Sequence, residues 1–157
     1  MNNQVSTGVG KPGTVLFDID GTLADIAHRR HFIEGDRRDW KNFNDRMGDD
    51  TTNEPVVALY KALQAGGQFE LIIVTGRNAR YRKVTEQWLI WNEIVFETLL
   101  MRAENDHRVD YLVKQDILKS LQEAGHEIAF TVDDRQQVVD MWRRNGIVCL
   151  QCDVGDF

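Results

Sequence analysis

The chain has 157 residues, of which 42% are hydrophobic and 28% charged, with a formal charge of −6. That length carries one domain with a buried core and excludes two of ordinary size. The composition is that of a soluble globular protein without a bilayer-spanning apolar run, and the acidic balance excludes a general attraction to nucleic acid or anionic membranes. Any nucleic-acid contact must be local, and the expected location is the cytoplasm.

Residues 1–13 lack a signal-peptide core and are rich in Gly, Asn, Ser and Thr, so a flexible N-terminal tail is expected there, followed by one domain over 14–157. Short apolar runs then alternate with segments of helical period, the pattern of an α/β protein with a mainly parallel five-stranded sheet in a Rossmann-like three-layer sandwich. The strands are expected at Thr14 to Asp18, Phe69 to Thr75, Ile94 to Met101, Glu127 to Val132 and Ile147 to Gln151. Ala24 to Thr52 has charge and aromatics but no clean period, and reads as a partly helical cap insertion. In the helix after it, Asn53 is placed to cap and Pro55 suits the first turn. Val56, Leu59, Tyr60 and Leu63 make the apolar stripe, and Gly66-Gly67 ends it. Tyr81, Val84, Thr85 and Trp88 give the next helix a similar face. Val109 to Ala124 stops at Gly125, and Arg135 to Asn145 stops at Gly146.

Cys149 and Cys152 have no second pair to complete a zinc site, and they lie in and after a strand rather than opening a helix. Cys149 is therefore expected in the core and Cys152 as a loop thiol in a reducing compartment. His28, His31, His107 and His126 have no metal spacing, which leaves solvated or hydrogen-bonding roles. Trp88 and Trp142 fall on apolar helical faces and are expected in the core, whereas Trp40 is the one to consider for base stacking, against the plainer reading of a surface aromatic. The Gly10-Lys11 pair is not a phosphate-binding kinase loop, since Pro12 stands where Ser or Thr should be.

The strongest signal is Asp18-Ile19-Asp20-Gly21-Thr22 after the apolar run Val15-Leu16-Phe17. Two carboxylates at the carboxyl end of a strand sit where open α/β sheets bind ligands, and such a pair needs a cation or a shared proton, which suits Mg2+ with one proton-shuttling acid. Gly21 allows close backbone approach. Alone, the run could be a common Asp-Gly turn. Further strand ends converge with it: Thr75 offers a hydroxyl to phosphate, and Asp133-Asp134 offers metal ligands. Lys114, otherwise a solvated helix lysine, is the cation placed to offset charge on a transferring phosphoryl group.

This set resembles the phosphatases of the haloacid dehalogenase superfamily. The resemblance implies Asp18 as covalent nucleophile, Asp20 as general acid and base, Thr75 and Lys114 as phosphate-binding residues, and Asp133 with Asp134 as the acidic metal motif. Asp18 and Asp20 complete the metal set that it implies. Val74-Thr75-Gly76-Arg77, Asp106-His107-Arg108-Val109-Asp110 and Asp133 through Gly146 look more particularly like the 3′-phosphatase domain of bacteriophage-type polynucleotide kinase/phosphatase, as does the ending Gly155-Asp156-Phe157.

That likeness implies nucleic-acid 3′ ends, DNA or RNA, as substrate, with Gly76, Arg29, Arg77, Arg108 and Asp110 among the substrate-site residues. Arginine suits such work because its guanidinium binds phosphate oxygens as a fork. The kinase half of those enzymes is expected to be absent here, which leaves room for a separate kinase or ligase partner. The chain departs from the family pattern at Tyr111, where a second acidic residue is usual, and in its Trp- and Arg-rich insertion at Asp36 to Arg46. Two other readings remain open: a phosphatase of mononucleotides or other small molecules, and a non-catalytic module that binds nucleic-acid ends.

Overall fold

The computed structural model describes residues 12–155. Most of the expected tail, and Asp156 with Phe157 of the ending, lie outside these residues. Gly13 itself belongs to the first strand.

Strand β1 (Gly13–Phe17) is a continuous apolar run because it lies in the middle of the sheet with both faces covered. Its neighbours are β4 (Phe69–Asn78) and β6 (Ile128–Arg135), with β5 (Thr98–Arg102) and β7 (Cys149–Gly155) at the edges. Every pairing is parallel, giving the order β5-β4-β1-β6-β7. Side chains alternate across the sheet. Val15, Phe17 and Ile73 enter one core with Tyr60 from α3 (Glu54–Gly66) and Trp88 from α4 (Arg82–Trp91). Leu16, Ile72 and Val74 enter the other with Leu118 from α5 (Asp110–Glu123) and Val139 and Trp142 from α6 (Gln136–Arg144). The three-layer sandwich follows from this alternation. No helix among the described residues is long and apolar enough to cross a membrane.

The fifth strand starts later than expected. Ile94 is buried, but in a turn where its N–H donates to the Leu89 carbonyl at 2.9 Å, so an apolar run at the end of α4 had the look of a strand. Strands β4, β6 and β7 run on past their expected ends. Register shifts between Thr75 and Asn78 and between Asp133 and Arg135 bend those extensions around the site. Asn53 precedes α3 but makes no side-chain cap; its carbonyl instead accepts the N–H groups of Val56 and Val57.

Segment 24–52 leaves and rejoins the domain through a short antiparallel ribbon, β2 (Ala24–Asp25) with β3 (Thr51–Thr52). Between them come α1 (Ala27–Arg30), α2 (Trp40–Asp45) and a helical turn at Met47–Asp49. Asp39 caps α2 by accepting the Asn42 N–H at 3.0 Å. Ile33 and Phe43 bury against the first core, which anchors a segment that has no amphipathic period of its own.

Candidate active site

Asp18 directly follows β1, and its N–H donates to the Val132 carbonyl at 3.1 Å, which ties the end of β1 to β6. Asp133 and Asp134 stand near the end of β6. Each of the three carboxylates can place one oxygen within 4.8 Å of the others, and all three are buried. Lys114 reaches in from α5, donating to Asp18 Oδ1 at 2.8 Å and Asp133 Oδ2 at 2.9 Å, with Asp110 Oδ2 at 3.6 Å. Asp133 Oδ1 accepts the N–H groups of Asp134 at 3.0 Å and Arg135 at 3.3 Å, and its Oδ2 accepts Trp142 Nε1 at 3.3 Å. The core tryptophan therefore also orients an acid. The Thr22 hydroxyl donates to Asp134 Oδ1 at 3.4 Å.

A Cβ on Gly21 would strike the Asp134 carboxylate, and one on Gly76 would strike Asp110, so these two glycines let side chain and backbone meet closely.

Three buried carboxylates facing one lysine leave an excess of negative charge. Burial, then Asp133, Asp134 and Asp110, push the Asp18 carboxyl well above its usual range against the pull of Lys114. Burial and Asp133 raise Asp134 to about 7. Burial alone would lower Lys114, but Asp133, Asp18 and Asp110 more than offset it and hold the ammonium form. These hard oxygen donors, short of counter-charge, fit a divalent cation such as Mg2+.

Asp20 faces elsewhere. Its Oδ1 accepts Arg29 Nη2 at 2.5 Å, Arg77 Nη2 at 2.6 Å and Arg77 Nε at 3.0 Å. Both arginines also hold the buried Asp50, at 2.6 Å and 2.9 Å to its Oδ2, and Arg29 Nε meets Asp50 Oδ1 at 2.6 Å. His28 Nε2 lies 2.8 Å from Asp50 Oδ1, and Trp88 Nε1 donates to the Asp50 carbonyl at 2.7 Å. Burial works against ionisation of Asp20, yet Arg77 and then Arg29 override it and hold the carboxyl well below the usual carboxylate range. The resemblance included Asp20 in the metal set; its side chain is engaged by the two arginines, and the three acids that can bring oxygens within 4.8 Å of one another are Asp18, Asp133 and Asp134.

The remaining expected residues divide. Thr75 is buried and its hydroxyl oxygen accepts the Arg77 N–H at 3.2 Å. Arg108 is not brought to the acids: its guanidinium is engaged at the surface by Asp106 at 2.7 Å and Asp116 at 2.9 Å. Tyr111 packs against the second core rather than entering the site. Cys149 is buried as expected, but Cys152 is on β7 and not in a loop. Its thiol lies 3.7 Å from the Asp133 carbonyl and 3.8 Å from that of Gly21, and burial pushes it up to about 12.

Two residues escaped the sequence reading. Asp50 gave no signal, sitting in a segment without period. Arg102 could have been found, because it ends β5 as Thr75 follows the apolar run of β4. Its guanidinium donates to the Gly76 carbonyl at 2.8 Å, the Arg108 carbonyl at 2.5 Å and Asp110 Oδ1 at 3.3 Å, pinning the loop and the start of α5 together.

A parallel sheet presenting an acidic trio and a lysine at its carboxyl edge, beneath an inserted segment, defines a phosphatase domain of the haloacid dehalogenase class. The chain belongs to the family of polynucleotide kinase PNKP phosphatase domains, whose model matches residues 12–157. A chain in the structure of the Pnkp1/Rnl/Hen1 RNA repair complex is 33% identical with a TM-score of 0.80, over 93% of this chain and 44% of that one. A second structure of that complex gives 35% identity and 0.79, over 93% and 47%. A putative bifunctional polynucleotide kinase/RNA ligase of Autographa californica nuclear polyhedrosis virus is 27% identical over 140 residues, covering 88% of this chain and 19% of its own length. This chain thus spans less than half the length of these relatives. The class C acid phosphatase of Bacillus anthracis, at 13% identity and a TM-score of 0.66, shares the fold.

Proposed function

We propose that the protein is a Mg2+-dependent polynucleotide 3′-phosphatase acting in nucleic-acid repair, with Asp18 as the nucleophile and segment 24–52 as its cap. One observation carries the reading: the buried convergence of Asp18, Lys114, Asp133 and Asp134 at the strand ends, in a chain of this family.

Asp18, Asp133, Asp134 and the main-chain carbonyl of Asp20 would hold the ion, which when bound supplies the positive charge that the phosphoryl oxygens and the clustered carboxylates need. Asp18 attacks the phosphorus in line, forming an aspartyl phosphate as the bond to the 3′ oxygen breaks. Lys114, held as an ammonium, offsets charge on the transferring group, and the Thr75 hydroxyl, whose oxygen already accepts the Arg77 N–H, is left with its own proton to donate to a phosphate oxygen.

Asp20 protonates the leaving sugar oxygen and then takes a proton from the water that hydrolyses the intermediate. Its clamp by Arg29 and Arg77 supplies the ionised form suited to the second step. For the first step the carboxyl must carry a proton, which the negative charge of a phosphate bound beside it would favour. Asp110, 3.6 Å from Lys114, borders the acids, whereas Arg108 would meet the strand beyond the terminal phosphate only by exchanging its surface partners Asp106 and Asp116. Two free thiols fit a cytoplasmic setting, and a separate kinase or ligase would serve the opposite end.

The test is phosphate release from 3′-phosphorylated oligonucleotides, 5′-phosphorylated oligonucleotides and mononucleotides, with and without magnesium. Magnesium-dependent release from the 3′-phosphorylated oligonucleotides is expected. Release from mononucleotides alone would replace this reading with that of a small-molecule phosphatase.

A further inference from the structure

Four tryptophans mark this chain, and two of them, Trp88 and Trp142, are 1% exposed and serve the core. The other two are exposed: Trp91, at the end of α4, by 71%, and Trp40, which opens α2 in the segment that carries Arg29, by 44%. Below Trp40, the ring of Phe43 meets the indole edge-on at 5.8 Å and 89°. Phe43 is buried, with the Arg29 guanidinium over its ring at 4.1 Å, and Arg29 holds Asp20. Trp40 is thus joined to the proposed leaving-group acid through an edge-on ring contact, a cation–ring contact and an ion pair.

The charge around it differs from that of the chain as a whole. Arg30 and Lys41 are paired with Glu34 and Asp45. Arg38 instead has its guanidinium 6.0 Å from the Trp40 ring, and Arg46 lies 5.5 Å from the Phe32 ring, with no carboxylate partner for either among the described residues. An exposed indole beside an arginine that no carboxylate holds supplies the two parts of a single-strand platform, one for a base and one for its backbone.

We propose that Trp40, with Arg38 beside it, is a stacking subsite for the base of the 3′-terminal nucleotide; the inference rests on the phosphatase reading above. When the phosphorus is at Asp18, Asp20 is the acid that meets the leaving oxygen, and the contacts that run from Asp20 through Arg29 and Phe43 lead to Trp40 in the segment over that acid. The sugar reaches the acid while its base meets the indole. A phosphorylated sugar without a base gains nothing from this surface, so the subsite selects nucleotide ends over other phosphomonoesters.

The experiment compares kcat/KM for a single-stranded 3′-phosphorylated oligonucleotide with the same strand ending in a tetrahydrofuran abasic analogue bearing the 3′-phosphate. The parent enzyme should prefer the base-bearing strand. Trp40→Ala should cut that preference about tenfold, through KM rather than kcat, the usual worth of one base–aromatic stack. Trp40→Leu, which keeps an apolar side chain on Phe43, should lose the preference as Ala does, and Trp40→Phe should keep most of it. An equal response of both substrates, or no preference in the parent, overturns the subsite while leaving the phosphatase reading intact. A parent enzyme that releases phosphate from neither strand overturns both.

Discussion

Asp18 and Asp20 are two residues apart in one motif, yet they have opposite surroundings. Asp18 belongs to a group of buried acids sharing one lysine, and its carboxyl is pushed up. Asp20 is held by two arginines and its carboxyl is pulled down. The difference comes from what the fold brings to each. β6 and α5 crowd Asp18 with like charge, whereas segment 24–52 and the end of β4 surround Asp20 with guanidinium groups. Carboxylates whose surroundings drive them apart divide the labour of acid–base chemistry. Under the proposed function, that division would give Asp18 the attack and Asp20 the proton transfer.

The largest effect that would break this comparison lies at Asp18. Asp18→Asn should lower turnover by a factor on the order of 10^4 or more, since an amide cannot form the acyl phosphate, while circular dichroism stays parental. Turnover near the parental value, with deamidation excluded, would move the nucleophile elsewhere.

Arg77→Ala probes the other half. Arg77 is buried and serves both Asp20 and Asp50, so its loss leaves Arg29 as the guanidinium shared by the half-buried Asp20 and the buried Asp50, with His28 beside Asp50 in addition. Removing one partner of such a cluster costs roughly 3–5 kcal/mol, and the variant should show that loss in urea unfolding together with reduced kcat/KM. Parental stability with reduced activity would mean that Arg77 serves the substrate rather than the clamp.

A smaller effect sharpens the contrast through pH. Asp134 is raised to about 7 in the folded, metal-free protein, above its unfolded value, so the folded state takes up a proton more readily. This contribution to stability is present at low pH and is lost as pH rises through about 7. Magnesium competes with that proton, so its stabilising effect should be greater at about pH 8 than at about pH 5.5. At a concentration about 100 times its Kd, magnesium supplies ~2.7 kcal/mol, or about 5–10 °C in Tm for a domain of this size. An equal rise in Tm at both pH values would contradict the crowding of acids around Asp18.

The sheet was legible because each strand is an apolar run, and buried parallel strands leave that mark. That Asp18, Lys114 and Asp133 would come together was legible because side chains at strand ends and helix starts converge on one edge of a parallel sheet. Where Ile94 misled, the apolar residue served a turn that covers the core, and apolarity does not distinguish the two uses. Asp50 was invisible for a different reason. Its partners Arg29 and Arg77 are 21 and 27 positions away, and only the folding of an aperiodic segment brings them together. Cys152 was misplaced because β7 runs on to Gly155, beyond the apolar run that suggested its end.

The central claim is that Asp18 accepts the phosphoryl group, and the most direct measurement is a rapid acid quench of enzyme turning over a 3′-phosphorylated oligonucleotide with magnesium, followed by peptide mass spectrometry. The account predicts a phosphoryl adduct on the peptide containing Asp18, absent in Asp18→Asn and lost at alkaline pH as an acyl phosphate should be. Burst kinetics with the adduct on any other residue, or turnover with phosphate carried by a histidine or serine, would contradict it.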